Sequence, residues 1–245
     1  MLPQPLLIAL QFLTRLPVRL AGMPEPAQIG RSLLWYPLVG LLLGGLLLAL
    51  HGLLGSTPAL LQAAILLTVW VGLSGGLHLD GLADTADAWV GGYGDRERTL
   101  AIMKDPRSGP IAVVVLLLVL LLKFTALVVL LEHGAWVGLL LAPWLGRMLL
   151  PLLFLTTDYV RAGGLGQALS EHLPRERLPL LLALHAGAML LLGWSALLAL
   201  ATAAMMFWLL RRAFVTRLGG TTGDTAGALL ELAECVVLVA LALFI

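Results

Sequence analysis

Long apolar runs alternate with short polar connections along the whole chain. Residues 33–54, 59–73, 111–131, 135–155, 178–210 and 223–245 are the runs. About 20 apolar residues suffice for a helix to cross the hydrocarbon core of a membrane. The run over 178–210 exceeds one crossing, and Gly193-Trp194-Ser195 offers a break that makes it two. The pattern predicts about seven transmembrane helices, with six as the alternative if that long run is one tilted helix. Trp35 and Tyr36 sit where the first crossing meets the interface, as aromatic anchors do. Ahead of it, residues 4–14 predict a short helix at the membrane surface, and residues 22–32 a polar, proline-rich loop.

Composition agrees. Hydrophobic residues make up 60% of the 245, mean hydropathy is +1.00, and only 12% are charged, against about 25% in soluble domains. The fold class expected is all-α, a polytopic membrane helical bundle forming a single membrane-embedded domain over 1–245. A net charge of +1 gives no basis for a nucleic-acid partner. The single cysteine, Cys235, excludes an intrachain disulfide. The N-terminal stretch lacks the basic start and small-residue cleavage site of a secretory leader and reads as retained.

The placement of charge says more than its sum. With seven crossings, every Lys and Arg outside the spans falls on one side: in 15–31, 96–107, 161–177 and 211–217. The opposite turns, near Ser56, Glu132 and Gly193, carry none. Basic connections mark the cytoplasmic side, so the charged side is expected to face the cytoplasm. Lys123 and Arg147 alone lie within spans.

On that charged side the chain runs Gly75-Gly76-Leu77-His78-Leu79-Asp80-Gly81-Leu82-Ala83-Asp84-Thr85-Ala86-Asp87. A helix advances about 100° per residue, so Asp80, Asp84 and Asp87 share one face. Like charges this close want a cation between them, and Mg²⁺ sites use one or two carboxylates with substrate phosphates. The alternative is a solvated helix face. His78 is turned away from the stripe and suits a structural or substrate-contacting role.

A second acidic element runs from Gly219 to Glu234. Asp224 and Glu231 share a helix face, and Gly223 and Gly227 allow close helix approach. These carboxylates either join the metal site or pair with Lys123 or Arg147. Lys104-Asp105-Pro106-Arg107 offers a cation, a carboxylate and a guanidinium before a span, suited to gripping a phosphate or serving as a cytoplasmic flank. Arg161-Ala162-Gly163-Gly164-Leu165-Gly166 offers an anion-binding loop, and Arg147, costly inside a span, wants an anionic partner. Carboxylate-held metal surrounded by cations at a membrane interface suits phosphoryl transfer. No Ser-His-Asp arrangement, Walker loop or Cys/His metal spacing competes.

The order of the aspartates loosely resembles the CDP-alcohol phosphotransferases, in chemistry only. Nearer is the cobalamin-5′-phosphate synthase family, the adenosylcobinamide-GDP ribazoletransferases. The likeness is carried in order by Phe12 to Val18, Tyr36 to Gly40, Gly76 to Ala88, Met103-Lys104-Asp105, Arg161 with Gly164-Leu165-Gly166, and Gly219 to Glu234. Pro106 and Trp89 depart from the family's usual serine and glycine. The resemblance implies a Mg²⁺-dependent enzyme of late cobalamin biosynthesis. A ribose hydroxyl of α-ribazole, or of its 5′-phosphate, attacks the cobinamide-side phosphorus of adenosylcobinamide-GDP, and GMP leaves. It further implies that Asp80, Asp84 and Asp87 hold the metal, that Asp224 and Glu231 complete its shell or take the hydroxyl proton, and that Lys104, Arg107, Arg147 and Arg161 contact phosphates. Self-association into a homo-oligomer is left open. The competing class is a membrane transporter, which predicts charge near mid-membrane instead of at one face.

Overall fold

Proline and polar caps set where the helices begin, and glycines set where the chain turns. The structure, a computed structural model, describes the chain apart from Met1, Ala21, Gly164 and the side chain of Leu165. The first helix, α1 (Gln4–Leu13), follows Pro3 and buries Ala9 and Leu13 against the bundle, so one of its faces is docked. Residues 26–32, expected as loop, form α2 (Pro26–Ser32). Pro26 fits the first helical position, and Glu25 and Gln28 cap each other's backbone reciprocally, which outweighs the loop-like composition. A 3-10 turn (Leu33–Trp35) leads into α3 (Tyr36–Leu54).

After α4 (Ala59–Ser74), Gly75 and Gly76 take φ of 67° and 69°. Only glycine adopts that left-handed pair without strain, and the chain bends by 87° into α5 (Leu77–Gly91). The short helix α6 (Arg96–Ile102) is capped by Asp95, which accepts the Arg98 N–H at 2.7 Å. Then come α7 (Pro110–Glu132), α8 (Val137–Thr156) and α9 (Leu165–Glu171). Next, α10 (Leu178–Leu190) and α11 (Trp194–Leu218) are separated at Gly193, the break the sequence predicts. The last helix, α12 (Gly223–Leu243), is capped by Thr222 and Thr225.

Among the described residues five helical stretches are long and apolar enough to cross a membrane, six if the bent pair α4 and α5 counts as one. The expected seven is not reached by length. The 13 residues of α10 fall short, as do the 16 of α4 taken alone. Lipid-facing surfaces are plain on α7 and α11, where Leu117, Leu121, Trp208 and Leu209 are exposed. At the centre is α8, with Arg147, Leu141 and Leu153 fully buried. It meets α3 closely, because a Cβ on Gly44 would lie 2.9 Å from the Leu140 backbone. The helices α5 and α12 meet in the same way: a Cβ on Gly81 would approach Asp224 Cα at 3.1 Å, and one on Gly227 would approach His78 Cα at 3.2 Å.

Side chains bind the helix ends together at one end of the bundle. Arg96 donates to the Leu218 carbonyl at 2.7 Å, Arg217 to that of Trp89 at 2.7 Å, and Arg211 to that of Thr156 at 2.5 Å. The Arg15 N–H donates to the Leu73 carbonyl at 2.7 Å. The ends of α4, α5, α8 and α11 are thus gathered with the basic connections at one pole, as the charge pattern requires.

Candidate active site

A cavity of about 400 Å³ opens at this pole, between α5, α12 and the loop after α8. Asp80, His78, Lys104, Arg161 and Asp224 line it. The loop is fixed by a short parallel bridge, in which the Thr221 N–H donates to the Asp158 carbonyl at 2.8 Å and the Val160 N–H to the Thr221 carbonyl at 2.9 Å. That bridge carries Arg161 to the start of α12, where its Nη1 donates to Asp224 Oδ2 at 2.6 Å. Tyr159 stands beside them, and burial pushes its phenol pKa up, with Arg161 opposing. Gly163 and Gly166 line the cavity, whereas Gly164 of the same expected loop lies outside the described residues.

The stripe on α5 is real as a helical face but divides by role. Asp84 feels the charges of Asp80, Asp224 and Asp87, with Arg161 the opposing cation. Asp87 is otherwise engaged: its Oδ2 accepts the Gly109 N–H at 2.5 Å and its Oδ1 the Ala112 N–H at 2.9 Å. Both oxygens thus satisfy orphan donors at the start of α7. Asp87 thus anchors α5 to the start of α7, and neither it nor Asp84 is among the residues lining the cavity.

Among the described residues no three His, Cys, Asp or Glu side chains converge tightly enough to hold an ion by themselves. The carboxylates that line the cavity are Asp80 and Asp224, the latter paired with the Arg161 guanidinium, and the charge of Asp84 acts on them from outside the lining. That set suits Mg²⁺, which keeps waters and draws further ligands from substrate phosphates. The residues present fit the ion as a partial shell completed by substrate.

Glu231 and Arg147 do not reach the cavity lining, and α12 explains why. Seven residues bring Asp224 and Glu231 to one face but separate them by about 10 Å along the axis. Glu231 instead accepts a hydrogen bond from Lys123 Nζ at 2.6 Å, and Glu234 accepts another from the same nitrogen at 2.6 Å. Arg147 donates to Glu234, and the Trp70 ring lies 4.8 Å from the Lys123 nitrogen. Two cations and two carboxylates cancel inside the bundle, each almost fully buried. The expected phosphate contact of Arg147 and the catalytic place of Glu231 give way to this quartet. It lines no cavity found at either end of the bundle, and Arg147 Nε and Nη2 have no hydrogen-bond partner within it.

The 104–107 segment also splits. Lys104 lines the cavity. Arg107 turns back on Asp105, donating to its two oxygens at 2.9 and 2.7 Å, and holds that carboxyl down at about 2. That pair is local and exposed, away from the cavity. What the sequence reading leaves unassigned is the aromatic side of the cavity, Phe12, Tyr36, Phe154 and Tyr159. Phe12 and Tyr36 lie in family-like motifs, and Tyr159 is two residues from Arg161, but nothing in spacing alone joins them.

Comparisons with known proteins identify the family. A protein from Ectopseudomonas mendocina called adenosylcobinamide-GDP ribazoletransferase is 75% identical, the match covering 96% of this chain and 97% of its own. Proteins of the same name from Pseudomonas aeruginosa PAO1 and Pseudomonas fluorescens Pf-5 are 67% and 66% identical, over 97% and 98% of this chain and 97% and 99% of theirs. No solved structure matches. The model of the cobalamin-5-phosphate synthase family matches residues 5–242. The chain therefore belongs to the cobalamin-5-phosphate synthase family.

Proposed function

We propose that the chain transfers the cobinamide phosphate of adenosylcobinamide-GDP to α-ribazole, or to its 5′-phosphate, releasing GMP. The observation that carries this reading is the cavity in which Asp80, Asp224, Arg161 and Lys104 meet at the charged pole of a membrane bundle, with Asp84 beside them. It is the place where a water-soluble diphosphate can meet a membrane-embedded enzyme.

Lys104 and Arg161 bind the diphosphate, with Arg161 held in position by Asp224. Asp80 and Asp224, with Asp84 adjacent, would hold Mg²⁺, which would supply neutralisation of the charge that builds up on the diphosphate. The ribose oxygen attacks the cobinamide-side phosphorus, and the phosphorus–oxygen bond to GMP breaks with the electron pair leaving on GMP. The hydroxyl proton passes to a cavity carboxylate. The basic connections gathered at this pole support an orientation with the cavity open to the cytoplasm from the inner membrane.

The test is GMP release by the purified full chain. Release is expected only when adenosylcobinamide-GDP, α-ribazole and Mg²⁺ are all present, and in inside-out vesicles without permeabilisation. Release without the ribazole acceptor, or only after vesicles are opened, contradicts the transfer or the orientation respectively.

A further inference from the structure

Two further cavities meet beside α11, away from the candidate active site. One, of about 280 Å³, is a crevice between α11 and the helices α5, α7 and α12. Leu82, Val90, Val115, Leu210 and Leu232 stand in its walls, and apart from Thr85 the whole lining is apolar. It opens to the surface of the bundle, and Val90 is exposed. The other cavity, of about 460 Å³, is lined by Arg212, Arg217, Thr216 and Leu209. Trp89 and Ala213 belong to both linings, so the apolar crevice and the basic cavity adjoin. No residue of either lines the cavity that holds Asp80 and Asp224.

The charge of the basic cavity is uncompensated. Among the described residues no Asp or Glu lines it, and neither arginine pairs with a carboxylate. Arg217 is held in place, its Nε donating to Thr99 Oγ1 at 3.1 Å and its Nη2 to the Trp89 carbonyl at 2.7 Å. Its Nη1 stands beside Gly94 in the same lining, 3.4 Å from where a Cβ would be. Arg212 is exposed and lies 5.7 Å from the ring centroid of Trp208, itself exposed. Guanidinium forks match phosphate oxygens, and arginine with tryptophan is what a membrane protein presents at the level of the lipid headgroups. A soluble phosphate would satisfy the arginines and leave the adjoining crevice unfilled, whereas a lipid fills both. We propose that the joined cavities bind an anionic phospholipid of the leaflet at the basic pole, its phosphate at Arg212 and Arg217 and an acyl chain in the crevice. The lipid ties α11 to α5 and α7 across a gap that side chains leave open. The site stands independently of the reaction catalysed.

The experiment takes the full chain in detergent, adds equimolar dioleoyl phosphatidylglycerol and phosphatidylcholine, and counts retained lipids by native mass spectrometry. Wild-type protein should retain phosphatidylglycerol in preference by roughly tenfold or more, since each arginine near an anionic headgroup is worth about fivefold. Arg212→Gln should lower that preference by about fivefold. Ala213→Phe, which fills the wall common to both cavities and keeps both arginines, should lower phosphatidylglycerol retention as well. Arg175→Gln, at the same pole but in neither lining, should leave the wild-type pattern unchanged, and inorganic phosphate should displace no lipid. Equal retention of the two lipids by wild-type protein overturns the proposal. An equal loss in Arg175→Gln and Arg212→Gln does so too, because it shows attraction to the pole as a whole. Displacement by inorganic phosphate, or a folded Ala213→Phe that retains phosphatidylglycerol fully, leaves an anion site with no place for the chain and overturns the lipid. Arg212 is exposed, so its variant is expected to fold, and an unchanged preference there is decisive even if Ala213→Phe does not fold.

Discussion

Lys123 shows how a residue that looks functional by position can be structural by pairing. Sequence alone marks it as an ionisable group in a span and offers Glu231 as its partner or as part of a metal site. The structure resolves the choice, because Lys123 bridges Glu231 and Glu234 while Arg147 takes the remaining oxygen of Glu234. Replacing it by methionine leaves one negative charge uncompensated in the bundle. Lys123→Met is expected to lose about 3–5 kcal/mol of stability, the usual cost of breaking a buried pair. Adding Glu231→Gln should restore most of it. Unfolding in detergent followed by circular dichroism checks both, and equal stability of single and double variants would show that the quartet is not coupled. The stripe teaches the same lesson in reverse. The helical period makes Asp80, Asp84 and Asp87 legible as one face, yet the role of Asp87 depends on where α7 begins, 22 residues later, and no local signal records that meeting.

Among the elements, the junction of α5 with α12 decides the geometry of the site. Gly81 and Gly227 let two carboxylate-bearing helices approach until Asp80 and Asp224 line one cavity. Gly227→Val would press its side chain on the His78 backbone and part the helices. It should lower GMP release and cost roughly 1–3 kcal/mol, as overpacking does. Gly45→Val is the matched control, because nothing lies within 4 Å of a Cβ there. If both variants lower activity equally, the close approach of α5 and α12 is not what the site requires. The small-residue spacing around Gly227 was readable in the sequence, as was the Gly193 break. Helix α2 was not, because proline and glycine there resemble a loop and the Glu25 and Gln28 pair shows as a cap only once the helix exists. The brevity of α10 was also hidden, since an apolar run does not show where its helix stops.

Across the whole molecule, charge segregation organises the fold and the chemistry together. The basic connections gather at one pole, where they tie helix ends and flank the cavity. The buried quartet, neutral in sum, is the exception inside the bundle. The pole was legible because Lys and Arg positions depend only on the order of apolar runs. The aromatic residues lining the cavity were not, because they come from α1, α3, α8 and the loop after α8, which only tertiary packing joins. The central claim is that the α5 stripe divides, Asp84 serving the chemistry and Asp87 the junction with α7. It is tested most directly by Mg²⁺-dependent GMP release, measured with melting temperature, in Asp84→Asn and Asp87→Asn. Turnover in Asp84→Asn should fall about 10²-fold or more at an unchanged melting temperature, while Asp87→Asn should keep turnover within a few-fold and melt lower by an amount equivalent to about 1 kcal/mol. Full Mg²⁺-dependent turnover in folded Asp84→Asn would contradict the account.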